Sequence, residues 1–317
     1  MSNAKQWLPL AAATVVLLLL FRIWVPNFLA AENMLDLAQQ VSINAILAFG
    51  MTLTILIGGI DLSVGALLAL VGTTTVSLLA VDPEEAQSLG RTALAVTAGL
   101  GVAAAFGTLN GICAAKTKMP PFIITLATML VARGAALGFN QGRPMHIPDR
   151  ETAFLALGNG RLWGVAPIPV LVMLALFTLT AILLHRARFG QHLYAMGGNR
   201  EAARFTGIPL VRIEVLVYVI CSMLAGVAGM IHAAQLYSAE PASGAGFELN
   251  AIAAAVVGGT SFTGGRGTML GTLIGAMIIG VLDKGLNQAG VHFSYQYIVK
   301  GLVILAAVYV DVSRRGR

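Results

Sequence analysis

The sequence predicts an all-α polytopic membrane fold of about ten transmembrane helices with both termini in the cytoplasm, forming a single transmembrane domain over residues 1–317. Three observations predict it. Hydrophobic residues make up 57% of the chain and charged residues 11%, where an ordinary soluble domain carries about a quarter charged residues. The apolar residues gather in runs of about 20, the length that carries an α-helix through a hydrocarbon core roughly 30 Å thick. The Lys and Arg residues, despite a net charge of +6, lie between these runs and form no continuous basic face. They speak for orientation in a membrane and against nucleic acid as a partner.

Read against their breakers, the apolar runs place spans at about 7–25, 34–57, 61–80, 92–115, 120–139, 165–184, 213–236, 249–259, 268–288 and 295–311. The first follows a single Lys, as a signal peptide would, but Leu29-Ala30-Ala31 is a poor cleavage site and an uncleaved anchor is expected. The eighth run is too short to cross alone. With the N-terminus inside, the inner segments hold twelve basic residues: Lys5, Lys116, Lys118, Arg186, Arg188, Arg200, Arg204, Arg212, Arg266, Arg314, Arg315 and Arg317. The outer segments hold four, Arg91, Arg143, Arg150 and Arg161, and this positive-inside bias fixes the orientation. Acidic residues, among them Asp82, Glu84, Glu85, Asp149 and Glu151, mark the outer side.

Within the spans, Gly107 and Gly111, and Gly267, Gly271 and Gly275, recur at a spacing of four that places them on one helical face, as close helix packing requires. Asn44, Thr52, Asn110 and Gln235 are polar residues in apolar spans and are candidates to line a solute cavity. Hydrogen bonding between helices is the alternative. Glu214 starts the seventh span, and Asp283 and Lys284 end the ninth, where they can pair or snorkel. Arg133 and Lys300 lie deeper, which calls for a buried partner or a role in translocation.

Three loops carry more specific patterns. Gly58-Gly-Ile-Asp-Leu-Ser-Val-Gly65 and Gly258-Gly-Thr-Ser-Phe-Thr-Gly-Gly-Arg-Gly267 share paired glycines, a hydroxyl residue and a further glycine, each following an Asn-Ala-Ile at Asn44 or Asn250. Gly58, Gly59, Asp61, Gly258, Gly259 and Ser261 are expected to form turns at the cytoplasmic mouth, with Asp61 and Ser261 capping the helices that follow. The longest cytoplasmic loop, 185–212, contains a short, well-capped helix. Asn199 caps its start, Arg200 to Thr206 supply about two turns, Gly207 suits the left-handed residue that ends it, and Pro209 stops it. So short a helix is marginal in water unless it docks, against a partner or through its arginines against anionic lipid head groups.

Several chemistries are excluded. No Gly-Lys dipeptide occurs, so no phosphate-cradling G-x-x-x-x-G-K-[ST] loop exists, and ATP would be bound by another chain. The five histidines include no H-E-x-x-H pair for zinc, and Cys113 and Cys221, both in apolar runs, offer neither a disulfide framework nor a thiolate metal site. No nucleophile and base stand at a useful spacing for an intramembrane enzyme.

Four stretches carry a family resemblance: Gly50-Met-Thr-Leu-Thr-Ile-Leu-Ile-Gly-Gly-Ile-Asp-Leu-Ser-Val-Gly65, Pro121-Phe-Ile-Ile-Thr-Leu126, Gly197-Gly-Asn-Arg-Glu-Ala-Ala-Arg204 and Glu248-Leu-Asn-Ala-Ile-Ala-Ala-Ala-Val-Val-Gly-Gly-Thr-Ser261. They resemble the permease subunits of sugar ABC importers of the ribose, xylose, arabinose and galactose type, the ribose permeases most of all. The similarity runs from about Pro26 to Asp311 in the same order.

The resemblance implies a type II importer-like permease in the bacterial inner membrane, moving ribose or a related monosaccharide into the cytoplasm. It implies a second permease subunit in a homodimer, an ABC ATPase that binds ATP and Mg, and a periplasmic sugar-binding protein, with no cofactor or metal on this chain. Gly197, Gly198, Asn199, Ala202, Ala203, Arg204 and Gly207 match the family's ATPase-coupling segment, and a charge introduced at Ala203 is expected to wedge that contact apart. An ATP-independent secondary sugar carrier or channel would share the span count and glycine content. Dependence on a partner ATPase separates the two.

Overall fold

The computed structural model describes residues 4–80 and 89–313. The acidic stretch with Asp82, Glu84 and Glu85, and the basic Arg314, Arg315 and Arg317, lie outside the described residues. Every apolar run is helical. The chain forms α1 (Ala4–Trp24), α2 (Ala31–Leu56), α3 (Val64–Leu79), α4 (Leu89–Lys116), α5 (Pro121–Gly138), α6 (Thr152–Asn159), α7 (Ile168–His185), α8 (Arg188–Gly198), α9 (Arg200–Phe205), α10 (Leu210–Gln235), α11 (Phe247–Val257), α12 (Met269–Gln288) and α13 (Phe293–Ser313). Among the described residues seven helices are long and apolar enough to cross a membrane, and α3, α11 and α13 are shorter apolar ones. Proline sets the start of α5 and α7, where its missing N–H costs nothing.

Helix α2 is the axis of the bundle. From Val41 to Leu56 nearly every residue is buried, against α10, α11, α12 and α7. Close approach is achieved through glycine. A methyl group on Gly275 of α12 would overlap the carbonyl of Ala254 in α11, and one on Gly111 of α4 would lie 2.6 Å from Val215 Cα in α10, so Gly107, Gly111, Gly271 and Gly275 pack as expected, whereas Gly267 lies ahead of α12 and faces Thr260 of its own turn.

The segment between α5 and α7 is more structured than its reading as an outer loop suggests. Strand β1 (Met145–His146) pairs antiparallel with β4 (Ser238–Ala239), and β2 (Arg161–Leu162) pairs with β3 (Ala166–Pro167). Helix α6 packs on α10. Glu151, one of the acids expected to mark the outer side, is fully buried, accepts from Thr92 Oγ1 at 3.1 Å and lies 3.6 Å from Arg150 Nε. Burial of this carboxylate is tolerable because it is paired and hydrogen-bonded.

The deep cations also have partners. Arg133 Nη1 donates to the carbonyls of Pro241 (2.7 Å) and Ser243 (2.6 Å). Lys300 Nζ lies 3.0 Å from Asp283, and Lys284 pairs at 3.8 Å with Asp36.

Candidate functional site

The loop between α7 and α10, residues 186–209, is two helices. Helix α8 has apolar Leu193 and Met196 three residues apart, and with Gly190 they form its buried face. Asn199 then leaves the helical region, at φ −156°, ψ 104°, and its side-chain oxygen accepts from Ala202 N at 2.9 Å, capping α9. Glu201 stands in the first turn and Arg204 in the last, both favourable to the helix dipole. The end is a Schellman motif: Ile208 N donates to Ala203 O, Gly207 N to Arg204 O, and Gly207 sits at φ 80°.

The local reading of α9 therefore holds, but one of its faces was misassigned. Ala203 is only 3% exposed and points into the chain's own core. A charge there would strike this protein's packing, not an external partner. The exposed face carries Gly198, Asn199, Arg200, Glu201, Ala202, Arg204 and Gly207, together with Phe205 at 86% exposure. Phe205 is the residue that sequence reasoning missed; an aromatic side chain on a polar, two-turn helix was the available signal. Arg200 bridges to Glu214, which is almost fully buried at the start of α10, and so anchors α9 to the bundle. Beside it a cleft of about 520 Å³ is lined by Ala115, Arg200, Glu201, Arg204, Pro209 and Arg212.

The two glycine turns sit behind this segment. In the first, Gly58 is left-handed at φ 80° and exposed, but Gly59 and Asp61 are buried. Asp61 does not cap α3. Its Oδ1 accepts from Ser63 N at 2.9 Å and from Ser63 Oγ at 2.5 Å, closing an Asx turn that leaves Asp61 two residues ahead of the cap position. Ser63 is the N-cap residue and makes no side-chain cap, because its hydroxyl is committed to Asp61 and accepts from Asn110 Nδ2 at 3.1 Å.

In the second turn Gly259 is left-handed at φ 92° and exposed, while Gly258 and Ser261 are buried. Ser261 does not cap α12 either: that helix starts at Met269, and Thr268 caps it by accepting from Gly271 N at 3.0 Å. The extra residues between Ser261 and Thr268 fold back, with Ser261 N bonded to Arg266 O and Gly265 N bonded to Leu56 O, each at 2.9 Å. Leu56 ends α2, so the second turn is stitched to the mouth of the first. Helix α8 is pressed into the same junction, where a methyl group on Gly197 would overlap Leu56 O and Gly265 N. Tyr194 of α8 adds a hydrogen bond to Gly267 O at 2.7 Å, and burial pushes its phenol up to about 12, so it remains a donor at physiological pH.

The four candidate cavity residues are not brought together. Thr52 is fully buried and joins α2 to α12 through Thr272 Oγ1 at 2.6 Å, and Asn110 joins α4 to the first turn. Both serve helix association. Asn44 and Gln235 are half-buried on α2 and α10. Among the described residues no group of His, Cys, Asp and Glu is placed to hold a metal ion.

Comparison with known proteins gives a consistent picture. No solved structure matches the chain. The chain is 45% identical to the ribose import permease protein RbsC of Escherichia coli K12, over 98% of this chain and 96% of that one. It is 44% identical to RbsC of Bacillus subtilis, over 93% and 89% respectively. The L-arabinose transport system permease protein AraH of Escherichia coli is 35% identical over 93% of this chain and 87% of its own. Residues 33–308 match the family model described as branched-chain amino acid transport system / permease component, and the chain belongs to that family of multi-pass transport permeases.

Proposed function

We propose that the chain is the membrane-spanning permease subunit of an ATP-driven ABC importer that carries a small sugar, ribose or a related monosaccharide, from periplasm to cytoplasm. The observation that carries this reading is the near-full-length identity to ribose import permeases, extending over all four motif stretches. The chain is a transport subunit and not an enzyme; ATP and Mg are bound by a partner ATPase. Ten apolar helices cross or enter the inner membrane with both termini cytoplasmic, a second copy completes a homodimer, and a periplasmic sugar-binding protein delivers the sugar.

Helix α9 is the element that docks on the ATPase. Its support is the exposed Phe205, which follows Arg204 and precedes the left-handed Gly207 by two residues, together with a cleft lined by three arginines on the same segment and the start of α10. An aromatic side chain beside a planar cation is the kind of anchor that dominates protein interfaces. Gly197, Gly198, Asn199, Ala202, Arg204 and Gly207 present and shape this helix, while Ala203 seats it on the bundle.

Purifying the tagged chain from its native membrane tests both statements. A two-domain ATPase should accompany it, and hydrolysis should rise when sugar-loaded binding protein is added. Phe205→Asp should lose the ATPase while the permease keeps its melting temperature, since Phe205 is outside the core. Purification without any ATPase would reject the importer reading, and retention of the ATPase by Phe205→Asp would reject α9 as the docking element.

A further inference from the structure

A second polar constellation lies where α11 begins. From β4 the chain runs through Glu240-Pro-Ala-Ser-Gly-Ala-Gly246 into α11, whose 11 residues end at the cytoplasmic turn. At 1.5 Å per residue α11 covers about 16 Å, half of a hydrocarbon core roughly 30 Å thick. The 240–246 loop therefore lies at membrane depth. It is held there by backbone contact, since a methyl group on Gly65 of α3 would overlap Gly244 O. Non-helical backbone at that depth is tolerated only where it is buried in protein or lines a water-filled cavity. Glu240, Ala242 and Ala245 are exposed, so burial within this chain does not account for the loop.

The side chains around the loop are of three complementary kinds. Arg133, about 18 Å along α5 from its Pro121 end, spends Nη1 on the loop carbonyls of Pro241 and Ser243. Its remaining N–H groups donate to no other described residue. Glu248 is its nearby counter-charge and accepts from Gly246 N at 3.1 Å. Tyr297 of α13 is 60% exposed, with its hydroxyl 4.0 Å from the place a methyl group on Gly246 would occupy.

We propose that Arg133, Glu248 and Tyr297, gathered at the 240–246 loop, form a monosaccharide-binding station within the membrane. The guanidinium donates to sugar hydroxyls, the carboxylate accepts from them, and the phenol ring lies against the C–H face of the pyranose or furanose ring. The station deepens the importer reading and takes its ligand class from it.

Thiol labelling of the intact complex in nanodiscs tests the station. In a Cys113→Ala background, with buried Cys221 left in place, Ala245→Cys should react with a water-soluble thiol reagent. Ribose at tenfold its dissociation constant should slow that reaction about tenfold, while equiosmolar sodium chloride should not. Arg133→Gln and Tyr297→Ala should remove the protection while leaving the labelling rate without ribose unchanged, and Tyr297→Phe should keep it; a merely structural role for the ring would alter the rate without ribose as well. Ala242→Cys serves as the second reporter if Ala245→Cys does not fold. Absence of labelling, or labelling that ribose does not slow, overturns the station even if ATP-driven uptake is intact. Protection by ribose without ATP-driven uptake upholds the station and overturns the energy source instead.

Discussion

The turns at 58–65 and 258–267 share a pattern of paired glycine, hydroxyl residue and further glycine, yet the chain puts them to different uses. The first turns tightly back into the bundle, and its polar residues are consumed in a fully buried network of Asp61, Ser63 and Asn110. The second has more residues before its helix and folds onto Leu56 O and the glycines of α8. Each has an exposed left-handed glycine, Gly58 or Gly259, and the second has two more, Gly264 and Gly265, where it folds onto α8. The spacing of glycine specifies that a reversal occurs. The length that follows it decides whether the reversal is a core element or a joint between elements.

Substitutions that add a methyl group at the joint should have the largest effect. Gly197→Ala forces a side chain into the Leu56 and Gly265 backbone, and should destabilise the purified protein by about 3 kcal/mol, the upper end for overpacking. Gly198→Ala, with open space around it, should stay within about 0.5 kcal/mol of the parent. Thermal unfolding in detergent compares the pair; equal melting temperatures would mean that α8 is not wedged into the joint.

In the buried turn, Asp61→Ala leaves the Ser63 N–H and hydroxyl without their acceptor and should cost about 2 kcal/mol, measured by the same melt. The smallest of the expected losses belongs to the cap. Thr268→Ala should cost about 1 kcal/mol, with amide exchange rising at Gly271. An unchanged exchange rate at Gly271 would show that the cap is not made.

The helices were legible because the bilayer allows few alternatives: runs of apolar residues between breakers gave α2, α4, α10 and α12 within a few residues of their observed ends. The capping of α9 was legible because Asn199, Gly207 and Pro209 act locally. Helix α8 was hidden, since its buried face is short and interrupted by His192 and Tyr194. Asp61 and Ser261 were misread as caps because the hydrogen bonds that claim Asp61, from Ser63, depend on a turn geometry that spacing does not report, and because Ser261 is followed by a folded loop. The inward direction of Ala203, the burial of Glu151 and the pairing of Arg133 with loop carbonyls arise from tertiary contacts over long sequence separations. No local pattern encodes those.

In the importer proposed above, this chain moves the sugar and another chain supplies the energy. Uptake of labelled ribose into proteoliposomes, with the permease alone and with its co-purified ATPase, binding protein and internal or external ATP as the topology requires, tests it most directly. Accumulation is expected only with the ATPase and hydrolysable ATP; ribose entry through the permease alone, at a rate indifferent to ATP, would refute an ATP-driven importer.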